Sequence, residues 1–134
     1  MESAKASGRD LGISTKDSVV ICDFIRGKNL DKAKKILIDA IELKKAVPYK
    51  RFNKDLGHKP GIMSGKYPVK SCKEILKLLI SAEANAKNKN LDLNSLRVKE
   101  IIANKASRPF HYGRFRGRKM RRTHIDITLA EVKK

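Results

Sequence analysis

Acidic residues are scarce in this chain: 14 Asp and Glu stand against 32 Lys and Arg in 134 residues, a net charge of +18. So much like charge on a small body opposes compaction, and it is expected only where a polyanion supplies the missing counter-charge. Nucleic acid or an anionic membrane surface fits that requirement. Long hydrophobic runs are also absent. The uninterrupted apolar stretches are no longer than segments such as Leu78-Leu79-Ile80, whereas a bilayer-spanning helix needs about 20 apolar residues. The start, Met1-Glu2-Ser3, lacks the charged-then-apolar pattern of a signal segment. No membrane partner is therefore expected. Cysteine is limited to Cys22 and Cys72, far apart and both in apolar helical patterns. They are expected to be reduced core residues of a cytoplasmic or nuclear protein. With His58, His111 and His124 they make no zinc-like spacing, and the carboxylates are scattered, so neither a metal, a cofactor, a small-molecule substrate nor catalysis is expected.

The apolar share, 40%, can fill one modest core, and the length suits one domain spanning 1–134. Ser14 or Thr15 can cap a helix over 14–26, with Val20, Ile21, Phe24 and Ile25 on one side and Gly27 as its stop. Asn29 offers the cap of a second helix over 30–45, where Ala33, Ile36, Leu37, Ala40 and Ile41 keep the 3.6 period. Pro68 suits the first position of a third helix, whose stripe of Cys72, Ile75, Leu76, Leu79, Ala82 and Ala86 runs to about residue 89. Asn88 and Asn90 close it. Residues 46–67 break the helical pattern with Pro48, Gly57, Pro60, Gly61 and Gly65. Their charges are Lys50, Arg51, Lys54, Lys59 and Lys66 against Asp55 alone. Tyr49, Phe52 and Tyr67 give this segment something to pack or stack, so it is expected to be an ordered basic insertion lying against RNA. After Leu96 the period changes to two. Leu96, Val98 and Ile102 form one strand face and Ile125, Ile127 and Leu129 another.

Between Glu100 and Asp126 there is no acid. The interval holds Lys105, Arg108, Arg114, Arg116, Arg118, Lys119, Arg121 and Arg122, with His111 and His124. Arginine outnumbers lysine six to two, and its planar fork donates paired hydrogen bonds to phosphate as an ammonium cannot. Phe110, Tyr112 and Phe115 are interleaved for stacking on unpaired bases, and Gly113 and Gly117 allow the backbone to bend. A charge run alone usually means a solvated tail. Here a strand follows it, so the run is tethered at both ends: a hairpin over 97–128 whose like charge requires RNA to order it. A chromatin-binding reading is weaker, because the second helix presents an apolar stripe and no base-reading set.

At this point the chain resembles a known family, the universal large-subunit ribosomal protein number twenty-two in its archaeal and eukaryotic version, number seventeen in older naming. The segments that carry the resemblance are Ala6-Ser7-Gly8-Arg9-Asp10-Leu11, Ile25-Arg26-Gly27-Lys28 and Val47-Pro48-Tyr49-Lys50-Arg51-Phe52-Asn53, then Gly65-Lys66-Tyr67-Pro68-Val69-Lys70, Ala82-Glu83-Ala84-Asn85-Ala86, Arg114-Phe115-Arg116-Gly117-Arg118 and Thr123-His124-Ile125. The insertion at 46–67 points to the archaeal and eukaryotic version. The resemblance implies an α+β fold, three helices packed on a small antiparallel sheet with a long basic β-hairpin extension. It implies a structural constituent of cytoplasmic ribosomes that binds large-subunit ribosomal RNA and touches neighbouring large-subunit proteins, with the hairpin tip near the nascent peptide in the exit tunnel. It assigns RNA contact to Arg26 and Lys28, carries over Arg114, Arg116, Gly117, Arg118 and His124 in the hairpin, and adds Lys50, Arg51 and Lys70; Arg9 and Lys16 join that set. Three positions depart from the family pattern: Ser14-Thr15-Lys16-Asp17 replaces a Ser-Pro-Lys start, Gly113 stands where proline is common, and the Arg118–Thr123 connection is short.

Overall fold

The computed structural model describes residues 2–131; the outermost parts of the expected 1–134 domain, residue 1 and residues 132–134, lie outside the described residues. The chain runs β1 (Ser3–Leu11), α1 (Thr15–Ile25), α2 (Leu30–Ile41), β2 (Val47–Pro48), β3 (His58–Lys59), β4 (Met63–Lys66), α3 (Val69–Asn88), β5 (Leu96–Lys105) and β6 (Thr123–Glu131). The fold is α+β, with three helices and small antiparallel sheets, as expected.

The main sheet has the order β1-β6-β5, so β6 is paired on both sides. Its inward residues Ile125, Ile127 and Leu129 are completely or almost completely buried, which is why this strand reads so clearly as alternating. The outer strand β1 is a third member that the two-strand reading did not include. Its inward positions are Ala4, Ala6 and Gly8, too small to show as a hydrophobic alternation. α3 packs against this face, and closely at Gly8. A Cβ placed on Gly8 would stand 2.8 Å from the Leu78 side chain.

β5 corrects the expected strand face. Its register slips between Val98 and Glu100, an extra residue that reverses which side points inward. Ile101 is therefore buried and Ile102 is 39% exposed, the opposite of simple alternation from Leu96.

The helix ends follow backbone chemistry. Ser14 caps α1 by accepting from the Asp17 amide at 3.4 Å, and Gly27 follows it with φ +76. α2 stops at Ile41, four residues before the expected end. Leu43 takes a left-handed conformation, φ +60. The Lys44 amide then donates to the Asp39 carbonyl at 2.8 Å and the Leu43 amide to the Ala40 carbonyl at 3.3 Å, a two-bond closure usually marked by glycine. Asn90 ends α3 in the same way, with φ +55, and its amide donates to the Lys87 carbonyl at 2.9 Å. Pro68 is the cap of α3 rather than its first helical residue, and Asn29 caps α2 without a side-chain bond.

Helices and sheet share one core that contains both cysteines, each a buried free thiol. Burial pushes Cys22 and Cys72 up to about 12, with Arg26 opposing the rise at Cys22 and Asp17 adding to it at Cys72. A thiolate forms more readily in the unfolded chain. Stability should thus be full below about pH 9 and fall as the pH climbs toward 12. Chemical denaturation at pH 8, 10 and 11 checks this; an unfolding midpoint that does not move across that range would contradict it.

Candidate nucleic-acid interface

The insertion between α2 and α3 folds as a second small sheet, β2-β4-β3, and a buried polar cluster ties it to α1. The Tyr49 hydroxyl donates to Asp17 Oδ1 at 2.8 Å, and Lys66 Nζ stands 3.7 Å from the same oxygen. Desolvation, then the hydrogen bond and charge of Asp17, drive the Tyr49 phenol well above its usual range and keep it a donor. The one acid in the first turn of α1 is thus buried and compensated, and it adds no open negative charge to the face beside it.

That face is a cleft of about 420 Å³ at the start of α1. Ser14, Thr15 and Lys16 form one wall and Phe52 of the insertion another. Lys105, Arg108, Arg121 and Arg122 from the root of the β5–β6 connection complete it. Phe52 is flanked by cations, with Lys16 Nζ at 5.9 Å and the Arg51 guanidinium at 5.0 Å from its ring centroid. Two chain segments far apart in sequence are fastened here by Thr123. Its buried hydroxyl donates to the Ile13 carbonyl at 3.0 Å. Having given its single proton there, it accepts from the Thr15 hydroxyl at 2.9 Å. Lys70 lies beside the turn before α1, its Nζ 3.8 Å from where a Cβ on Gly12 would stand, but does not line the cleft.

Beyond Lys105 and Thr123 the regular ladder gives way to an irregular one over residues 106–122. The Ala106 amide donates to the Arg122 carbonyl at 3.2 Å, Met120 to Pro109 at 2.8 Å and His111 to Arg118 at 2.8 Å. The chain reverses through a single 3₁₀ turn at Gly113–Phe115, entered by Gly113 with φ +65. Continuous strands were expected in this stretch. Pro109 lacks an amide donor and the side chains here do not alternate, so regular pairing has no support. Phe110, Tyr112 and Phe115 are exposed, Tyr112 by 85%. Lys119 lies 5.2 Å from the Phe110 ring and Arg118 lies 5.2 Å from the Phe115 ring. Among the described residues, none of the eight cations from Lys105 to Arg122 makes an ion pair.

Other expected RNA contacts stand differently. Arg9 pairs with Asp126 at 3.0 Å. Arg26 donates to Asp23 at 2.8 Å and to the Ile101 carbonyl at 3.0 Å. His124 accepts the Asp10 amide on Nδ1 at 3.1 Å and holds the bulge at the end of β1, where Asp10 has φ +51. These three side chains have donors or acceptors engaged within the protein and do not line the cleft. Lys28, Lys50 and Arg51 gather instead around a separate cleft between α1 and β2. Sequence reading missed Thr123 as the fastener. Its only signal was a hydroxyl at a position where β6 otherwise carries inward aliphatic residues.

Among the described residues no group of His, Cys, Asp or Glu is arranged to hold a metal, and no helix is long and apolar enough to cross a membrane. The family model described as ribosomal protein L22p/L17e matches residues 6–130. The large ribosomal subunit protein uL22 of Methanosphaera stadtmanae is 44% identical over 96% of this chain and 89% of its own length. The proteins of the same name from Archaeoglobus fulgidus and Methanocaldococcus jannaschii are each 38% identical, over 98% and 97% of this chain and 90% and 88% of their own lengths.

Proposed function

Given that the chain belongs to the ribosomal protein L22p/L17e family, in its archaeal type, we propose that it is built into the large subunit by binding ribosomal RNA through the cleft at the start of α1 and the arm at 106–122. It is a structural, non-enzymatic constituent of the ribosome. The observation that carries the RNA reading is the convergence of five cations on one cleft, beside an arm whose cations have no acid partners among the described residues. Phosphates fill the role of the missing anions, and the exposed rings of the arm stack on unpaired bases.

In this reading the basic insertion, held to α1 through Tyr49 and Asp17, adds Lys50 and Arg51 to the RNA-facing surface. The tip around Tyr112–Arg116 reaches the wall of the peptide exit tunnel and meets the nascent peptide, while neighbouring large-subunit proteins and RNA cover the rest. The location is the cytoplasmic ribosome.

Sedimentation of cell extract on a sucrose gradient tests the assignment. The chain should travel with the large subunit and stay there through moderate salt. Recovery mainly in the top fractions, or with chromatin, would refute it.

A further inference from the structure

The cleft between α1 and β2 differs in kind from the one at the start of α1. It measures about 290 Å³, near the lower end of the roughly 300–1,000 Å³ found for small-ligand pockets. Val20, Phe24 and Pro48 give it an apolar floor, and Lys28, Lys50 and Arg51 put three cations around it. Lys28 Nζ stands 5.2 Å from the Phe24 ring centroid. A carboxylate is also present. Asp23 lines the cleft, and its Oδ1 accepts from Arg26 at 2.8 Å while its other oxygen has no protein donor among the described residues.

Each part restricts the occupant. A bare anion is opposed by Asp23, and a cation by Lys28, Lys50 and Arg51. A ligand that combines negative charge, a flat apolar body and N–H donors satisfies all of them, and an unpaired nucleotide is such a ligand. Both carboxylate oxygens of Asp23, the free one and the one that accepts from Arg26, can only accept hydrogen bonds. On the Watson–Crick edge, guanine presents two adjacent donors, its ring N1–H and its amino group. Adenine and cytosine place an acceptor beside their one donor, and uracil flanks its donor with two carbonyls. A carboxylate meets guanine without repulsion.

We propose that this cleft receives a single unpaired guanine of the bound RNA. The base lies on the floor of Val20, Phe24 and Pro48, Asp23 accepts from its Watson–Crick edge, and Lys28, Lys50 and Arg51 neutralise the flanking phosphates. The proposal rests on the RNA-binding reading above and adds one base-specific contact to it.

The test uses the full chain and four labelled heptanucleotides: heptauridine, and the same strand with guanosine, inosine or adenosine at its centre. Binding is followed by fluorescence anisotropy at fixed salt. A good paired contact to a base discriminates by about 1–3 kcal/mol, so the guanosine strand should bind roughly 5- to 150-fold tighter than heptauridine or the adenosine strand. Inosine lacks the amino group and should fall between. Asp23→Asn keeps an acceptor for Arg26 but loses the carboxylate, and it should bring all four strands to one affinity. Equal affinities in the unaltered protein, or a guanosine preference that survives Asp23→Asn, would overturn the proposal. Failure of heptauridine to bind even at low salt is a different result, since it would remove the RNA-binding reading and the guanine site with it.

Discussion

Replacing Arg114, Arg116 and Arg118 together with alanine is expected to weaken binding to large-subunit ribosomal RNA on the order of a hundredfold at 0.1 M salt, with little change in the melting temperature. All three side chains are exposed and make no ion pair among the described residues. Among the described residues the internal contacts at stake are a long hydrogen bond from Arg116 Nε to the Gly113 carbonyl at 3.4 Å and the exposed Arg118–Phe115 stacking at 5.2 Å. Each phosphate left without its arginine lowers the steepness of log affinity against log salt by about 0.7–0.9. Three such phosphates therefore reduce the slope by about 2–3, and extrapolation from 1 M to 0.1 M salt gives the hundredfold figure. Removing three like charges also relieves repulsion within the arm, so the folded domain should melt no lower than before. Filter binding across a salt series, paired with thermal denaturation, reads both quantities. A melting temperature that falls in step with affinity would mean the arginines support the fold, and an unchanged salt slope would mean they do not face phosphate.

The parts of this fold that were legible in sequence are those where burial demands large aliphatic side chains. β6 and the inner faces of the three helices announce themselves because Ile127, Leu79, Leu37 and their neighbours must fill the core. β1 hid because its buried face is made of Ala4, Ala6 and Gly8, side chains too small to show as a hydrophobic alternation. The end of α2 hid because Leu43 occupies a conformation that glycine usually marks. At the candidate site, the cations of the arm could be read from composition, since an acid-free interval is visible in the bare sequence. Their grouping could not. Only the fold brings Lys16 and Phe52 to Arg121 and Arg122, and only the fold shows Arg9, Arg26 and His124 bonded within the protein.

Thr123→Val tests whether that grouping depends on one hydroxyl. Valine matches threonine in shape, so packing at this fully buried position is retained. The hydrogen bonds are not. The Ile13 carbonyl loses its donor at 3.0 Å and the Thr15 hydroxyl its acceptor at 2.9 Å. Leaving a buried polar group unpaired costs about 1–3 kcal/mol; the Thr15 hydroxyl is only part-buried and adds about 1 kcal/mol, so the two together should cost about 2–4 kcal/mol. At roughly 3–5 °C per kcal/mol for a domain of this size, the melting temperature should fall by about 6–20 °C. The same change loosens the start of α1 from the root of the arm, so Lys16 and Arg121 no longer share a fixed spacing. RNA affinity, measured well below the melting point, should drop several-fold. Its salt slope should stay the same, because no charge has been removed. That separates this variant from the triple arginine replacement, which changes the slope and spares the fold. Thr123→Ser restores the hydroxyl at the expense of a methyl group and should recover most of the affinity. If serine behaves no better than valine, the hydroxyl alone is not what holds the cleft together.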